Sequence, residues 1–376
     1  VKALADLAKE SVPEQVNLVY DKTRLSFGKD YIIPKPFDPR LITTVPVAVA
    51  QAAMDSGVAQ APIEDWNRYK ETLENRLGNS QKMVRILHDR AKRDPKRLVF
   101  AEADQMDVLK AAQIVEEEGI AKPILLGNKD VINDLRKAID FDAEVEIIDP
   151  KDQSHDEQRK MYAELFWKDQ KRKGYTLYDV ERLMWERNYF ASMMVKSGDA
   201  DGMLSGYSRN YRSVVKPILE TISRAKGVSK VAATNLMLTK SGPLFLSDTT
   251  INVEPSSKEL AKIAQMTGHM AGLFGIEPVI ALLSFSNFGS SRFSQAKKVT
   301  EAVSILHRSN PNLVVDGPIQ SDFALNKELL HKVFPFSSLK NKKVNVLVFP
   351  NLDAANITYK LMKELNEALS IGPILM

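Results

Sequence analysis

The protein has 376 residues, of which 44% are hydrophobic and 27% charged, and this length predicts two or three packed units. It has no cysteine, which excludes disulfides, zinc–thiolate sites and thiol nucleophiles. The net charge of +4 is spread along the chain. The sequence has no apolar run long enough to cross a membrane and no signal-peptide pattern. We therefore expect a cytoplasmic protein that binds neither nucleic acid nor membrane.

Residues 1–78 differ in pattern from the rest of the chain. They contain a proline-rich extended segment, 31–41, and a helical pattern over 62–77 in which apolar residues recur at three- and four-residue steps. Gly78 is a predicted helix stop, and we place a domain boundary there. This segment has too few strand signals to form an enzyme domain. At the other end of the chain, the apolar residues 371–376 suggest a truncated polypeptide.

Short apolar segments alternate with helical patterns after residue 96. The predicted strands are residues 98–101, 123–126, 145–148, 202–205, 279–284, 313–316 and 344–349. The predicted helices are residues 107–118, 155–173, 209–225, 256–274, 293–308 and 353–369. This alternation predicts an α/β fold with parallel-rich sheets covered on both faces. A predicted hairpin, 230–237 with 243–248, interrupts it, so a second domain is expected to begin near Gly227.

Common cofactor and metal motifs are absent from the sequence. No G-x-G-x-x-G follows a predicted strand, and there is no G-x-x-x-x-G-K-[ST] phosphate-binding loop. The five histidines never occur four residues apart, so no local zinc pair is indicated. No metal site is predicted, although a site built from scattered carboxylates stays open.

Polar and small residues follow four predicted strands, where open α/β sheets bind ligands. Small residues let backbone N–H groups approach an anion, and arginine or lysine holds phosphate through charge-assisted hydrogen bonds. The candidate ligand-binding residues are Ser205, Gly206, Arg209, Arg212, Lys216, Ser286, Asp316, Gln320, Asn351, Asn356, Tyr359 and Lys360. Arg209 and Arg212 are three residues apart, so we expect them on one helix face. The alternative is four ordinary turns with helix caps and a solvated helix face, but the recurrence favours a ligand site.

Segments 198–206, 274–286, 315–320, 348–360 and 371–374 resemble phosphate acetyltransferases. The resemblance implies two α/β/α subdomains of the isocitrate and isopropylmalate dehydrogenase type, with the second inserted into the first. Residues 79–226, rejoined by a truncated 370–376, would form the first subdomain, and 227–369 the second. The resemblance also implies that coenzyme A or acetyl-CoA binds in the cleft between the subdomains and that the reaction is acyl transfer between coenzyme A and phosphate. It further implies a homo-oligomer that dimerises through the second subdomain.

Segments 25–41 and 49–59 are similar to the end of bacterial malic enzymes, some of which are fused to a phosphotransacetylase-like domain. The resemblance implies that residues 1–78 are the helical tail of such an enzyme. The parent would convert malate to pyruvate and carbon dioxide by oxidative decarboxylation. Its NADP and divalent metal, magnesium or manganese, would bind upstream of Val1.

The sequence departs from the acetyltransferase family at two arginine positions, which hold Gln170 and Lys216. The family's Ser-Arg-Gly segment would lie beyond Met376, so the catalytic residues stay unassigned. Three hypotheses follow: an impaired transferase that senses acetyl-CoA and regulates the malic enzyme, an active phosphate acetyltransferase, and a purely structural oligomerisation module. Arg209 or Arg212 could supply the missing charge, but the two replacements favour the regulatory hypothesis.

Overall fold

The computed structural model describes residues 1–376 except 11, 13–15, 17–24, 30, 37, 76–78, 226, 227, 229, 367 and 368, and only the backbone of 71, 74, 75, 79–82 and 366. The predicted helix stop at Gly78 and domain start at Gly227 lie outside the described residues. The described helices are α1 (Lys2–Lys9), α2 (Arg40–Asp55), α3 (Trp66–Asn75), α4 (Asn79–Arg93), α5 (Met106–Glu117), α6 (Lys129–Ala138), α7 (Asp156–Gln170), α8 (Leu177–Leu183), α9 (Arg187–Ser197), α10 (Tyr211–Thr221), α11 (Ser257–Leu273), α12 (Ser294–Ser309), α13 (Ser321–Leu325), α14 (Lys327–Val333) and α15 (Leu352–Asn366). The described strands are β1 (Lys96–Phe100), β2 (Ala121–Leu126), β3 (Glu146–Ile148), β4 (Gly202–Leu204), β5 (Ala233–Thr239), β6 (Gly242–Ser247), β7 (Val279–Leu283), β8 (Val314–Ile319), β9 (Val346–Val348) and β10 (Leu369–Leu375).

The chain divides into two compact units. Ile86–Lys230 forms the continuous unit, whereas Val1–Arg85 and Val231–Met376 together form the divided unit. The first boundary between the units, at 85/86, therefore lies inside α4. The second, at 230/231, lies a few residues after the predicted boundary at 226/227.

The continuous unit contains a parallel sheet with the strand order β3-β2-β1-β4. Neighbouring residues of β1 point to opposite faces: Val99 packs with Tyr162 and Phe190, while Phe100 packs with Leu109. Both sides of the sheet are therefore covered by helices, which explains why its strands are apolar at consecutive positions.

The divided unit contains a larger sheet with the order β10-β5-β6-β9-β7-β8. Strands β6, β9, β7 and β8 are parallel, whereas β5 pairs antiparallel with β6 as the predicted hairpin. One cluster on this sheet contains Ile280 with Leu260 and Val299, and the other contains Ala281 with Leu330. The predicted α/β fold with parallel-rich sheets is confirmed.

The last strand corrects a prediction about domain organisation. We expected residues 370–376 to rejoin the first subdomain, but β10 pairs antiparallel with β5 of the divided unit. Ala232 and Met376 also exchange backbone hydrogen bonds, of 3.2 and 2.9 Å. These ladder bonds join the end of the chain to the sheet of residues 231–369. Within this chain, residues 86–230 therefore lie between the two parts of the divided unit.

Residues before α4 form helices and a small core of their own. Ala8, Val16, Leu25 and Tyr31 are buried against one another, and Arg40 forms an ion pair with the buried Asp38 at 2.6 Å. The predicted helix over 62–77 is observed as α3, within residues 66–75. In the part of the chain that the structure describes, no helix has the length and apolar character needed to cross a membrane.

Candidate functional site

A buried carboxylate organises the first candidate loop of the continuous unit. Glu102, just after β1, is 1% exposed and accepts hydrogen bonds from the backbone N–H groups of Gly206 (2.6 Å), Tyr207 (3.0 Å) and Ser208 (2.9 Å). The Ser208 hydroxyl also donates to it. Gly206 has a φ of +100°, a left-handed conformation that glycine adopts without strain. Glu102 thus fixes the loop that leads from β4 towards α10.

These hydrogen bonds also set the charge of Glu102. Burial by itself raises the pKa of the carboxyl, but the bonds from the hydroxyl and amide of Ser208 and from the amides of Gly206 and Tyr207 outweigh it. The pKa therefore lies below the ordinary value for glutamate, and the group is a carboxylate at neutral pH. The sequence analysis missed Glu102. Its position beyond a buried strand was the available signal.

Ser205 contributes to the same scaffold. Its hydroxyl donates to Oδ1 of the fully buried Asn188 at 2.7 Å, and Nδ2 of Asn188 donates to the Ser213 carbonyl at 3.3 Å. The Ser205 side chain therefore links the loop to α9, and through Asn188 to α10.

Arg209 and Arg212 lie beside this loop with exposed side chains. Asn210 is the N-cap of α10 and accepts a hydrogen bond from the Ser213 amide at 3.0 Å, so Arg209 precedes the helix. The prediction that both arginines share one helix face is therefore wrong, because only Arg212 is helical. Neither arginine forms an ion pair with a carboxylate among the described residues.

The two positions where the resemblance expects arginine converge on Glu220. Gln170 is 6% exposed and its Nε2 donates to the Glu220 carbonyl, while Lys216 Nζ lies 3.8 Å from Glu220 Oε1. Tyr175 and Tyr189 donate their hydroxyls to the same carboxylate at 3.1 and 2.5 Å. Burial is the largest cause that raises the pKa of each tyrosine, and the neighbouring Glu220 raises it further. The cluster is occupied by internal contacts and contains no guanidinium.

A second polar contact secures the end of β1. Arg187, the first residue of α9, donates two hydrogen bonds to Asp104, at 2.8 and 2.9 Å. Burial opposes ionisation of Asp104, but the bonds from Arg187 outweigh it and lower the pKa of the carboxyl. This bidentate pair holds α9 against the β1 edge.

In the divided unit, Ser286 and Gln320 lie in two loops that are joined by hydrogen bonds. Gln320 donates through Nε2 to the Phe285 carbonyl at 2.8 Å and accepts from Asn287 Nδ2 at 2.6 Å. Ser286 is 2% exposed and its hydroxyl accepts from the Ser291 amide at 3.0 Å. Both side chains have internal partners that shape the loop after β7.

Asp316 does not follow a strand, as the sequence suggested, because β8 continues to Ile319. Its Oδ2 accepts hydrogen bonds from the Ser337 hydroxyl at 2.8 Å and the Ser338 amide at 2.9 Å. Asp316 therefore fixes the loop that follows α14.

The remaining candidates lie just before α15 or within it. Asn351 Oδ1 accepts from the Ala354 amide at 3.0 Å, and Asn356 Nδ2 donates to the Thr249 carbonyl at 3.0 Å. Tyr359 is partly buried against the core, whereas Lys360 is exposed. These asparagines thus cap α15 and connect it to the segment after β6.

Sequence reasoning also missed Asp248 in that segment. Asp248 is 3% exposed and accepts backbone hydrogen bonds from Thr250 (2.9 Å), Ile251 (3.1 Å) and Asn252 (3.0 Å). It shapes its loop as Glu102 shapes residues 205–208. The described residues hold no group of three or more acidic or histidine side chains placed to bind a metal ion.

Comparison with known proteins gives the family. The model of the phosphate acetyl/butaryl transferase family matches residues 82–376. The phosphate acetyltransferase of Thermoanaerobacterium thermosaccharolyticum is 36% identical over 300 residues, which cover 78% of this chain and 90% of that protein. A phosphotransacetylase structure from Streptococcus pyogenes has a TM-score of 0.71 and 33% identity, and the match covers 78% of this chain and 89% of that one.

Other relatives match the chain from end to end. The NADP-dependent malic enzyme of Haemophilus influenzae is 38% identical over 386 residues, which cover 100% of this chain and 50% of that protein. The chain thus spans about half the length of the malic enzymes that it matches.

The two parallel-rich α/β units and the loops at their strand ends define a phosphotransacetylase-like protein. The chain belongs to the phosphate acetyl/butaryl transferase family. Its predicted resemblance to both acetyltransferases and malic enzymes is confirmed.

Proposed function

We propose that this chain binds acetyl-CoA, turns over little or no acetyl phosphate, and regulates the malic enzyme of which it is a part. Gln170 and Lys216 stand where the resemblance expects arginine, while the exposed Arg209 and Arg212 remain beside the loop of residues 205–208 that Glu102 fixes, here called the ligand loop. The convergence of Gln170 and Lys216 on Glu220 carries the proposal.

The loss of the guanidinium groups bears on catalysis. Attack of a thiolate on acetyl phosphate develops charge on oxygen atoms, and removal of one preorganised donor costs about 3–4 kcal/mol of transition-state stabilisation. Gln170 is neutral and bonded to a backbone carbonyl, while Lys216 is drawn to Glu220 and lacks the arginine fork. Turnover is therefore impaired more than ground-state binding.

Arg209 and Arg212 support the binding of an acyl-CoA. Both are exposed, and neither forms an ion pair with an acid among the described residues, while the nearby charge of Arg209 favours the ionised form of Glu186. Exposed guanidinium groups can donate charge-assisted hydrogen bonds to phosphate oxygens. The loop before them is held rigid by Glu102, so little ordering is needed on binding.

The parent would be a cytoplasmic NADP-dependent malic enzyme that oxidatively decarboxylates malate to pyruvate. The support is the end-to-end match to malic enzymes of twice this length. NADP and a divalent metal, magnesium or manganese, would be held by the half of the parent that this chain does not include. Acetyl-CoA bound to this chain would then regulate the decarboxylation of malate, which the other half of the parent would catalyse.

Titration of acetyl-CoA into the protein tests the proposal directly. We expect saturable heat by isothermal calorimetry, together with background production of acetyl-CoA from acetyl phosphate and coenzyme A. No heat at millimolar acetyl-CoA would refute binding. Turnover typical of an enzyme, on the order of 10 s⁻¹, would instead establish an active phosphate acetyltransferase.

We also propose that the chain forms homo-oligomers, dimerising through the divided unit. Ile357, Leu361 and Leu365 recur at four-residue steps on α15 and are 58%, 53% and 77% exposed. A row of exposed apolar side chains on one helix face is typical of an interaction surface.

Charge placed on that row should dissociate the oligomer. We expect a Leu361→Glu, Leu365→Glu variant to sediment at about half the mass of the wild-type protein, because two carboxylates would be desolvated in the interface. The exposed Lys363 lies on the same helix, so Lys363→Glu is the matched control and should leave the mass unchanged. Equal masses for the wild type and the double variant would contradict this surface.

A further inference from the structure

Exposed apolar side chains accompany the short helix α14 in the divided unit. Leu325 ends α13 and is 53% exposed, Val333 ends α14 and is 45% exposed, and Phe336 follows at 69%. Leu330 is buried in the core on the sheet, so the opposite side of α14 faces away from that core. The residues that concern us, here called the α14 surface, are Leu325, Glu328, Leu329, Lys332, Val333 and Phe336.

The aromatic end of the α14 surface is held by the rings beneath it. The ring centre of Phe336 lies 4.9 Å from that of Phe288 and 5.9 Å from that of Phe334, edge to face in both pairs. Phe288 has a φ of +45°, which a bulky residue rarely adopts, and its amide donates to the Pro318 carbonyl at 2.7 Å. An exposed ring that is already fixed in place loses little entropy on association, and therefore suits an interface.

Two opposite charges lie on the outer side of the same helix. Glu328 and Lys332 are exposed and four residues apart, so they share one face of α14. An acid four residues before a base suits an ion pair within a helix. Neither side chain nevertheless forms an ion pair among the described residues. The α14 surface therefore carries one acid and one base whose charges are not neutralised by a contact within the described part of the chain.

These charges complement each other when α14 packs against a second copy of itself. A two-fold interface uses the same surface on both chains, so two copies of a helix that cross the axis at right angles run antiparallel. An axis at the level of Leu330 brings Glu328 of each chain opposite Lys332 of the partner subunit. It also brings Leu329 within one helical turn of Val333 of the partner subunit. Both the charges and the apolar side chains are then matched.

We propose that two copies of the chain associate through the α14 surface in this antiparallel arrangement, with Glu328 of each copy paired to Lys332 of the partner subunit. Leu325 then lies near Phe336 of the partner subunit at each end of the contact. This contact goes beyond the dimer proposed for α15, because α15 packs on β5 and β6 whereas α13 packs on β7. Two different two-fold surfaces on one chain form an assembly of four chains when their axes are perpendicular.

Charge exchange in the full chain, measured by sedimentation velocity over a range of concentrations, tests this pairing. We expect Lys332→Glu to reduce the mass to about half and to raise the dissociation constant at least about tenfold, because acids would meet across the axis. Glu328→Lys should have the same effect. The variant that carries both substitutions should recover the wild-type mass, since opposite charges meet again, and its recovery would show that neither substitution unfolds the chain.

The exposed Lys297 on α12 provides a matched control. Lys297→Glu makes the same charge change on a helix that packs with Val299 against the other face of the sheet, and it should leave the mass unchanged. Wild-type mass in both single variants of α14 would overturn the proposal and leave the surface to solvent or to a different protein. A double variant that stays dissociated would also overturn it, because the two charges would then not face each other.

The α14 contact is separable from the other proposals. Combining Lys332→Glu with Leu361→Glu, Leu365→Glu should give single chains, whereas either change alone should leave a dimer. Acetyl-CoA should bind to every α14 variant with wild-type affinity, because Arg209 and Arg212 belong to the continuous unit. Failure of the charge exchange would therefore leave the proposed function intact, and failure of acetyl-CoA binding would leave the α14 contact intact.

Discussion

Replacement of Glu102 by glutamine is expected to lower the free energy of unfolding by about 2–4 kcal/mol. Its carboxylate is 1% exposed and accepts from three consecutive backbone amides and a hydroxyl of residues 206–208. A glutamine amide would direct N–H donors at some of these donors and leave them unsatisfied in the interior. Chemical denaturation at neutral pH measures the loss. The exposed Glu164 on α7 provides the control, since Glu164→Gln should change stability by less than about 0.5 kcal/mol.

The same variant should alter the pH dependence of stability. Because the pKa of Glu102 is lower in the folded protein than its ordinary value of 4.5, its contribution is complete above that value. The contribution is lost as the pH falls through the folded pKa. The difference in unfolding free energy between wild type and Glu102→Gln should therefore shrink below about pH 4.5. A difference that stays constant from neutral pH down to about pH 3 would show that the carboxylate charge does not matter.

Loss of both exposed arginines should weaken acetyl-CoA binding about 100-fold or more, while stability changes by less than about 0.5 kcal/mol. Arg209 and Arg212 are exposed and form no ion pair among the described residues, so an Arg209→Gln, Arg212→Gln variant breaks no ion pair there and is expected to affect binding more than stability. Each charge-assisted contact to phosphate contributes about 1.5–3 kcal/mol, and the two add when they meet separate oxygens.

Isothermal titration with acetyl-CoA measures this effect against a variant of equal net charge. Arg308→Gln, Lys332→Gln removes two exposed cations of the divided unit and is expected to bind like the wild type. If the Arg209→Gln, Arg212→Gln variant retained wild-type affinity, both arginines would belong to an ordinary solvated surface. Equal weakening in the two double variants would indicate attraction by net charge alone.

Much of the fold was predictable because the central strands are buried on both faces. Consecutive apolar residues such as Val99 and Phe100 serve opposite helical layers, which gives an unbroken apolar run in the sequence. The hairpin β5–β6 was equally clear, since Ser241-Gly242 separates two apolar segments. At these positions the local sequence pattern and the tertiary environment favour the same secondary structure.

Helices α8 and α9 and strand β10 are among the elements that escaped prediction, each for a physical reason. In α9 the run of residues 188–194 is buried on all sides, so it carries no amphipathic period. The capping box of Thr176 and Asp179 that begins α8 was visible, but the helix is only 7 residues long. Strand β10 depends on pairing with residues more than a hundred positions earlier, which no local pattern reports.

The sequence pointed to residues beyond the strands but could not assign their roles. Arg209 and Arg212 are exposed there, yet Ser205, Ser286 and Gln320 serve internal hydrogen bonds. A sequence cannot tell a side chain that binds a ligand from one that satisfies a neighbouring loop, because both are small and polar. The organising carboxylates, Glu102 and Asp248, were missed because their partners are backbone amides distributed over several residues.

The insertion of residues 86–230 between the two parts of the divided unit constrains how the protein is made. A ribosome releases the whole continuous unit before it has translated β5, so that unit is able to fold while synthesis proceeds. The contacts that join residues 1–85 to 231–376 form only after the continuous unit has been made, and β5 gains its second neighbouring strand only when β10 leaves the exit tunnel. Until then the antiparallel edge of β5 is exposed in the nascent chain, where an unpaired strand invites aggregation.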